Sequence, residues 1–179
     1  MIKNKLTGMG VALITPSTQD ESIDFTALGK IVDHLIKNEA DYIVVLGTTA
    51  ETPALTEEEQ HQVLEFVKER VNGKIPLVLG FGGNCTRAII NRMKNFDFSG
   101  IDAILTVTPY YNKPSQEGIY QHYKGYSSID EVRDMNIDGV SGGVSGLPES
   151  FLSQVAQVSG DYLDQVAEHK IPRACDSIW

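Results

Sequence analysis

Four short apolar runs, each followed by a stretch with helical apolar spacing, constrain the fold of this chain more than any other feature. Gly10-Val11-Ala12-Leu13-Ile14-Thr15 reads as a buried strand stopped by Pro16. After the polar turn Ser17–Glu21, Leu28, Ile31, Val32, Leu35 and Ile36 recur at the spacing of one helix face, with Ser22 or Asp24 as N-cap. Tyr42–Leu46 is the second strand. Its helix opens on the capping-box pattern Thr56-Glu57-Glu58-Glu59, buries Val63, Leu64, Val67 and Val71, and stops at Asn72-Gly73. Ile75–Gly80 is the third strand, followed by a helix over Thr86–Asn95 with Ala88, Ile89, Ile90 and Met93 apolar. Ala103–Val107 is the fourth, followed by a short helix over Ser115–Tyr123.

A strand-plus-helix unit every ~30 residues predicts parallel strands joined by right-handed crossovers. Strands that are apolar throughout, rather than alternating, imply a sheet covered on both faces. Two architectures satisfy this pattern, an open doubly wound sheet and a β/α barrel. Gly82-Gly83 is the nearest approach to a nucleotide loop, and neither a G-x-G-x-x-G nor a Walker pattern occurs, which favours the barrel.

The loop Gly47-Thr48-Thr49-Ala50-Glu51-Thr52-Pro53-Ala54-Leu55-Thr56 joins the second strand to its helix. Loops at the C-terminal ends of parallel strands are where both architectures hold ligands. Gly47 permits close approach of the backbone, and Thr48 and Thr49 supply two hydroxyls and two N–H groups, a cradle for a small carboxylate or phosphate. The alternative is that the threonines only cap a helix. Glu51 either orients this loop or adds a favourable charge at a helix start.

The chain has 179 residues, 41% of them apolar, enough for one domain with a core. A net charge of −9 argues against nucleic acid or an anionic membrane as partner. Cys85 and Cys175 are far apart and lack metal-ligand spacing, so neither a disulfide framework nor a zinc site is expected. Cys85 opens a helix, where its thiol is either activated or a buried structural group, the latter favoured. His34 and His61 lie among charged residues and read as solvated. The apolar run before Pro16 is too short for a signal peptide, and no run approaches a membrane span, so a cytoplasmic location is expected.

From Gly125 the character changes. Asp138–Gly146 is rich in glycine and serine, helical patterns follow over Pro148–Val158 and Tyr162–His169, and no long apolar strand follows Val107. This divides the chain into residues 1–125, a β/α unit, and 126–179, a divergent Gly/Ser-rich and helical tail.

Residues 1 to about 125 resemble the N-terminal half of the dihydrodipicolinate synthase family. The segments that carry the resemblance are Gly10–Pro16, Gly47-Thr48-Thr49-Ala50-Glu51, Gly82-Gly83-Asn84-Cys85-Thr86 and Val107-Thr108-Pro109-Tyr110-Tyr111-Asn112-Lys113-Pro114-Ser115-Gln116-Glu117-Gly118. Ser17 is a small departure, being aromatic or apolar in the family. The resemblance implies an α/β fold: a partial (β/α) TIM barrel of the class I aldolase type, with about four to five parallel strands and a helical C-terminal segment. It implies lyase chemistry in lysine biosynthesis, condensing pyruvate with aspartate semialdehyde through a Schiff-base lysine, with no cofactor and no metal. Carried over by position, Thr48 matches the proton-relay threonine and Thr49, beside Gly47, the hydroxyl that holds the pyruvate carboxylate. Tyr111 matches the tyrosine that reaches a neighbouring subunit's site. Asn84 and Tyr110 match two positions of an allosteric lysine pocket, while Ala88 stands where some members have a glutamate for that ligand. The family's second tyrosine, its arginine and its Lys-Glu-Ala-(Ser/Thr)-Gly segment do not occur after Gly125, where Lys170 is the only lysine. Residues 137–145 resemble the phosphate loop of triosephosphate isomerase, with the spacing off by one; a linker is the alternative. The chain is therefore expected to be inactive alone and to associate with itself or with a full-length homologue. The alternative is a non-catalytic carboxylate-binding or scaffold module.

Overall fold

The computed structural model describes residues 6–112, 114–126 and 129; the expectations for Asp138–Gly146, the two helical patterns after it and Lys170 lie outside them. The element order is β1 (Gly10–Ala12), α1 (Phe25–Lys37), β2 (Tyr42–Val45), α2 (Glu57–Val71), β3 (Leu77–Gly80), α3 (Thr86–Met93), β4 (Ala103–Leu105) and α4 (Gln116–Tyr126). The chain divides into two compact units, Met1–Phe81 with Phe98–Leu105, and Gly82–Asp97 with Thr106–Trp179.

The first unit holds a parallel sheet in the order β1-β2-β3-β4. Strand order that follows chain order without reversal is the barrel's pattern, whereas a doubly wound sheet has a switch point. Register pairs Ala12 with Val44, Val44 with Val78 and Val78 with Ala103. One face of the sheet, with Ile43, Val45, Leu77, Leu79 and Ile104, is almost fully buried, as are Leu28 and Val32 of α1 and Val63, Leu64, Val67 and Val71 of α2. Each such aliphatic side chain contributes roughly 1.5–3 kcal/mol on burial. On the opposite face Val78 and Ala103 are buried, and only the β1 end departs from the expectation of a sheet covered on both sides. Gly10 and Ala12 are exposed, and Met9 and Ile14 flanking β1 are 59% and 48% exposed.

Helix ends follow local chemistry. Asp24 caps α1, its carboxylate accepting from the Ala27 N–H. Thr56 and Glu59 form the complete capping box of α2, and Asn72 closes it in the left-handed region. The strands are shorter than their apolar runs: β1 ends at Ala12, with the Leu13 N–H still donating to the Val44 carbonyl at 2.9 Å, and β4 ends at Leu105, with Thr106 in a single bridge, while Thr15 and Val107 already belong to loops. In the second unit, α3 and α4 pack closely. Gly125 is the reason they can, since a Cβ there would lie 2.6 Å from Ile90 Cδ1. The helix runs past the expected end at Tyr123, and α4 continues through Gly125 to Tyr126.

Candidate functional site

The loop after β2 is built to hold an unusual path. Leu46 has φ +56, and its carbonyl occupies the space a Cβ at Gly80 would fill, so β3 carries a glycine at this point. The chain then makes a 3-10 turn over Thr48–Ala50, with the Ala50 N–H donating to the Gly47 carbonyl at 3.1 Å and Glu51 in the left-handed region. A second turn, Thr52–Ala54, is braced from both sides. The Thr52 hydroxyl donates to the Gly47 carbonyl at 3.0 Å, and the Gln60 amide on α2 donates to the carbonyls of Thr52 and Leu55. Gly47 and Ala50 are buried, while Thr48 and Thr49 are exposed. Among the described residues, neither threonine hydroxyl has a hydrogen-bond partner. The threonines do not act as side-chain caps here, because the 3-10 turn begins at Gly47 without a side-chain cap. Their hydroxyls, with the N–H groups that open the turn, form a donor-rich surface suited to a small anion.

Tyr110 and Tyr111 belong to the second unit, after β4. Tyr111 is 92% exposed with φ +73, and the Asn112 N–H donates to the Tyr110 carbonyl at 3.0 Å. Asn84 is exposed and stands just before α3. Thus Gly47, Thr48 and Thr49 share one loop, and Tyr110 and Tyr111 share another. Among the described residues, no hydrogen bond or ring contact joins Asn84 to Tyr110.

Cys85 corrects an expectation. It is the N-cap residue of α3 and is exposed, not a buried structural thiol. A cap residue precedes the helix's apolar stripe, so the stripe does not tell which way it faces. His34 and His61 are exposed. The histidine that sequence reading missed is His122, buried on α4, with its ring against Thr86, the Val107 carbonyl and Tyr126. Its burial lowers its pKa. The signal was there in the spacing of Ile119, His122, Tyr123 and Tyr126 along one helical stripe. Among the described residues, no cluster of three metal-ligating side chains occurs and no helix is long and apolar enough to cross a membrane.

The sequential parallel sheet with its helices defines a β/α-barrel type of protein, present here as a partial barrel. The model of the dihydrodipicolinate synthetase family matches residues 5–137, and the chain belongs to that family. The 4-hydroxy-tetrahydrodipicolinate synthase of Parabacteroides distasonis is 63% identical over 127 residues, covering 71% of this chain and 43% of the relative. That of Phocaeicola vulgatus is 54% identical, covering 76% and 45%. The solved dihydrodipicolinate synthase of Acinetobacter baumannii complexed with pyruvate superimposes with a TM-score of 0.66 at 42% identity, over 70% of this chain and 43% of that one. The chain therefore spans less than half the length of these relatives.

Proposed function

We propose that the Gly47–Thr49 loop binds the carboxylate of a small 2-oxo acid such as pyruvate, and that this chain by itself does not carry out the family's lyase reaction. The observation that carries the first part is the pair of unpartnered, exposed threonine hydroxyls on a cross-braced turn at the end of β2. Thr49 holds the carboxylate, Thr48 serves as proton relay, and Tyr111 works at a site shared between subunits. Asn84 and Tyr110 contribute to an effector pocket. The A. baumannii relative, complexed with pyruvate, supports the choice of acid. The second part rests on the sequence after Gly125, which lacks the segment in which the family carries its Schiff-base lysine. A relay threonine has nothing to act on without an imine that acidifies the pyruvate methyl group. Residues 1–125 form the β/α part and 126–179 a tail of other character; the site is cytoplasmic, and a homologue or second copy completes it.

The test is intact-mass measurement after incubation with pyruvate and borohydride. The expected result is an unchanged mass, together with saturable pyruvate binding by calorimetry that disappears in Thr49→Val. A stoichiometric pyruvyl adduct on one lysine would sink the inactivity reading; binding that survives Thr49→Val would sink the loop assignment. A scaffold role without ligand is the second reading, favoured by the exposed apolar residues around β1. Absence of pyruvate heat, with concentration-dependent sedimentation, would select it.

A further inference from the structure

His122 is 1% exposed. Its Nδ1 stands 2.8 Å from Thr86 Oγ1 at the start of α3. Its Nε2 stands 3.3 Å from the Val107 carbonyl oxygen and 2.7 Å from the Tyr126 hydroxyl. One tautomer satisfies all three contacts. A carbonyl only accepts, so the contact with Val107 needs the proton on Nε2. A neutral ring then has a bare Nδ1, to which the Thr86 hydroxyl donates. The Tyr126 oxygen shares the Nε2 proton as a second acceptor. The other tautomer would aim the Nε2 lone pair at the Val107 carbonyl. The groups facing the ring are uncharged: the Thr86 hydroxyl from α3, the Val107 backbone carbonyl, and Tyr123 and Tyr126 from α4. Burial keeps both tyrosines protonated.

We propose that His122 is a positioning residue: as a single Nε2–H tautomer it ties the Val107 carbonyl to α3 and α4, and so fixes the segment that carries Tyr110 and Tyr111. Val107 is where that control matters most. The strand β4 ends at Leu105 with one further bridge residue at Thr106, Pro109 has no N–H to donate, and Tyr111 is held at φ +73. Thr106 and Thr108 on either side of Val107 are buried, and the Val107 carbonyl between them is the backbone group that His122 meets. The ring is held on its other side as well, where Thr86 meets Nδ1, and α4 lies close to α3, with a Cβ at Gly125 falling 2.6 Å from Ile90 Cδ1. The assignment of His122 stands on this geometry; only the value of fixing Tyr111 rests on the functional reading above.

The test begins with the unaltered full chain. A long-range 1H–15N spectrum of the imidazole is expected to show Nε2 protonated and Nδ1 bare, with a through-bond coupling from the Nε2 proton to the Val107 carbonyl carbon. A protonated Nδ1, or a ring averaging between tautomers, overturns the proposal without any variant. His122→Gln keeps an N–H donor near the Nε2 position and is expected to leave the Val107 carbonyl and Tyr110–Tyr111 signals near their original positions. His122→Leu removes the donor and is expected to shift all three. A purely structural role predicts that the two variants, both folded, move these signals alike, which also overturns it. Borohydride trapping reads the lysine chemistry instead, so the two readings fail separately.

Discussion

The loops after β2 and after β4 solve one problem in opposite ways. Each leaves the end of a parallel strand, and each contains non-glycine residues in the left-handed region, Leu46 and Glu51 in one, Tyr111 in the other. The first loop is ordered from within. Its turns bond to each other, Gln60 braces them, and the absent side chain of Gly80 makes room for Leu46. Among the described residues, the second has little internal bonding beyond the Tyr110–Asn112 turn and is held at its root by His122. A self-braced loop announces itself in sequence through Gly, Thr and Pro. A loop held from its root depends on residues well downstream and does not.

The sharpest way to break the first loop is Gly80→Ala. The added methyl would overlap the Leu46 carbonyl, a backbone group that cannot swing aside, so a loss of about 3 kcal/mol is expected in urea unfolding. A change indistinguishable from zero would mean the loop re-forms along another path and is not self-braced. The second loop's anchor is probed by pH. Burial lowers the pKa of His122 from its ordinary 6.5, so between the two values the unfolded chain binds the extra proton. Its contribution is complete above about pH 6.5 and declines as pH falls below it. The urea midpoint should drop on acidification in the unaltered chain and drop less in His122→Gln. Equal slopes would remove His122 from the account.

Smaller effects sharpen the contrast. Thr56→Ala breaks the capping box that starts α2, on which Gln60 stands, and should cost about 1 kcal/mol by thermal or urea unfolding. Tyr111→Gly acts the other way. It relieves the left-handed strain but adds freedom to the unfolded chain, so a net gain of about 0.5 kcal/mol is expected. A loss instead would mean that the exposed ring is held by contacts stronger than its strain.

How much of this was legible in the sequence follows the same division. The order of strands and helices, the Asp24 cap, the capping box at Thr56 and the Asn72 stop were readable, because each is set by residues a few positions apart. The Gly47–Thr49 loop was readable as a strand-to-helix loop for the same reason. An exposed strand face follows from a partial barrel, but which strand would carry it was not readable, because apolar content alone cannot tell a covered strand from a bare one. Cys85 misled because its exposure is set by its neighbours in space. His122 went unnoticed because its partners lie 36 residues before it, 15 before it and 4 after it, a combination that only the folded chain brings together.

Among the described residues β1 is the edge of the sheet, and an edge strand is ordinarily free to slide along its neighbour. Here sliding is indexed. The ring of Tyr42 lies where a Cβ of Gly10 would be, and the carboxylate of Asp41 lies where a Cβ of Gly8 would be, while also accepting from the Met9 N–H at 2.6 Å. Shifting β1 by one residue would drive Met9 or Val11 under the tyrosine ring. Shifting it by two in one direction brings Ala12 there, with a methyl the space does not admit, and in the other brings Gly8 there but puts Leu6 against the carboxylate. The two bare positions thus act as notches and the two β2 side chains as teeth, and the strand can seat in one place only.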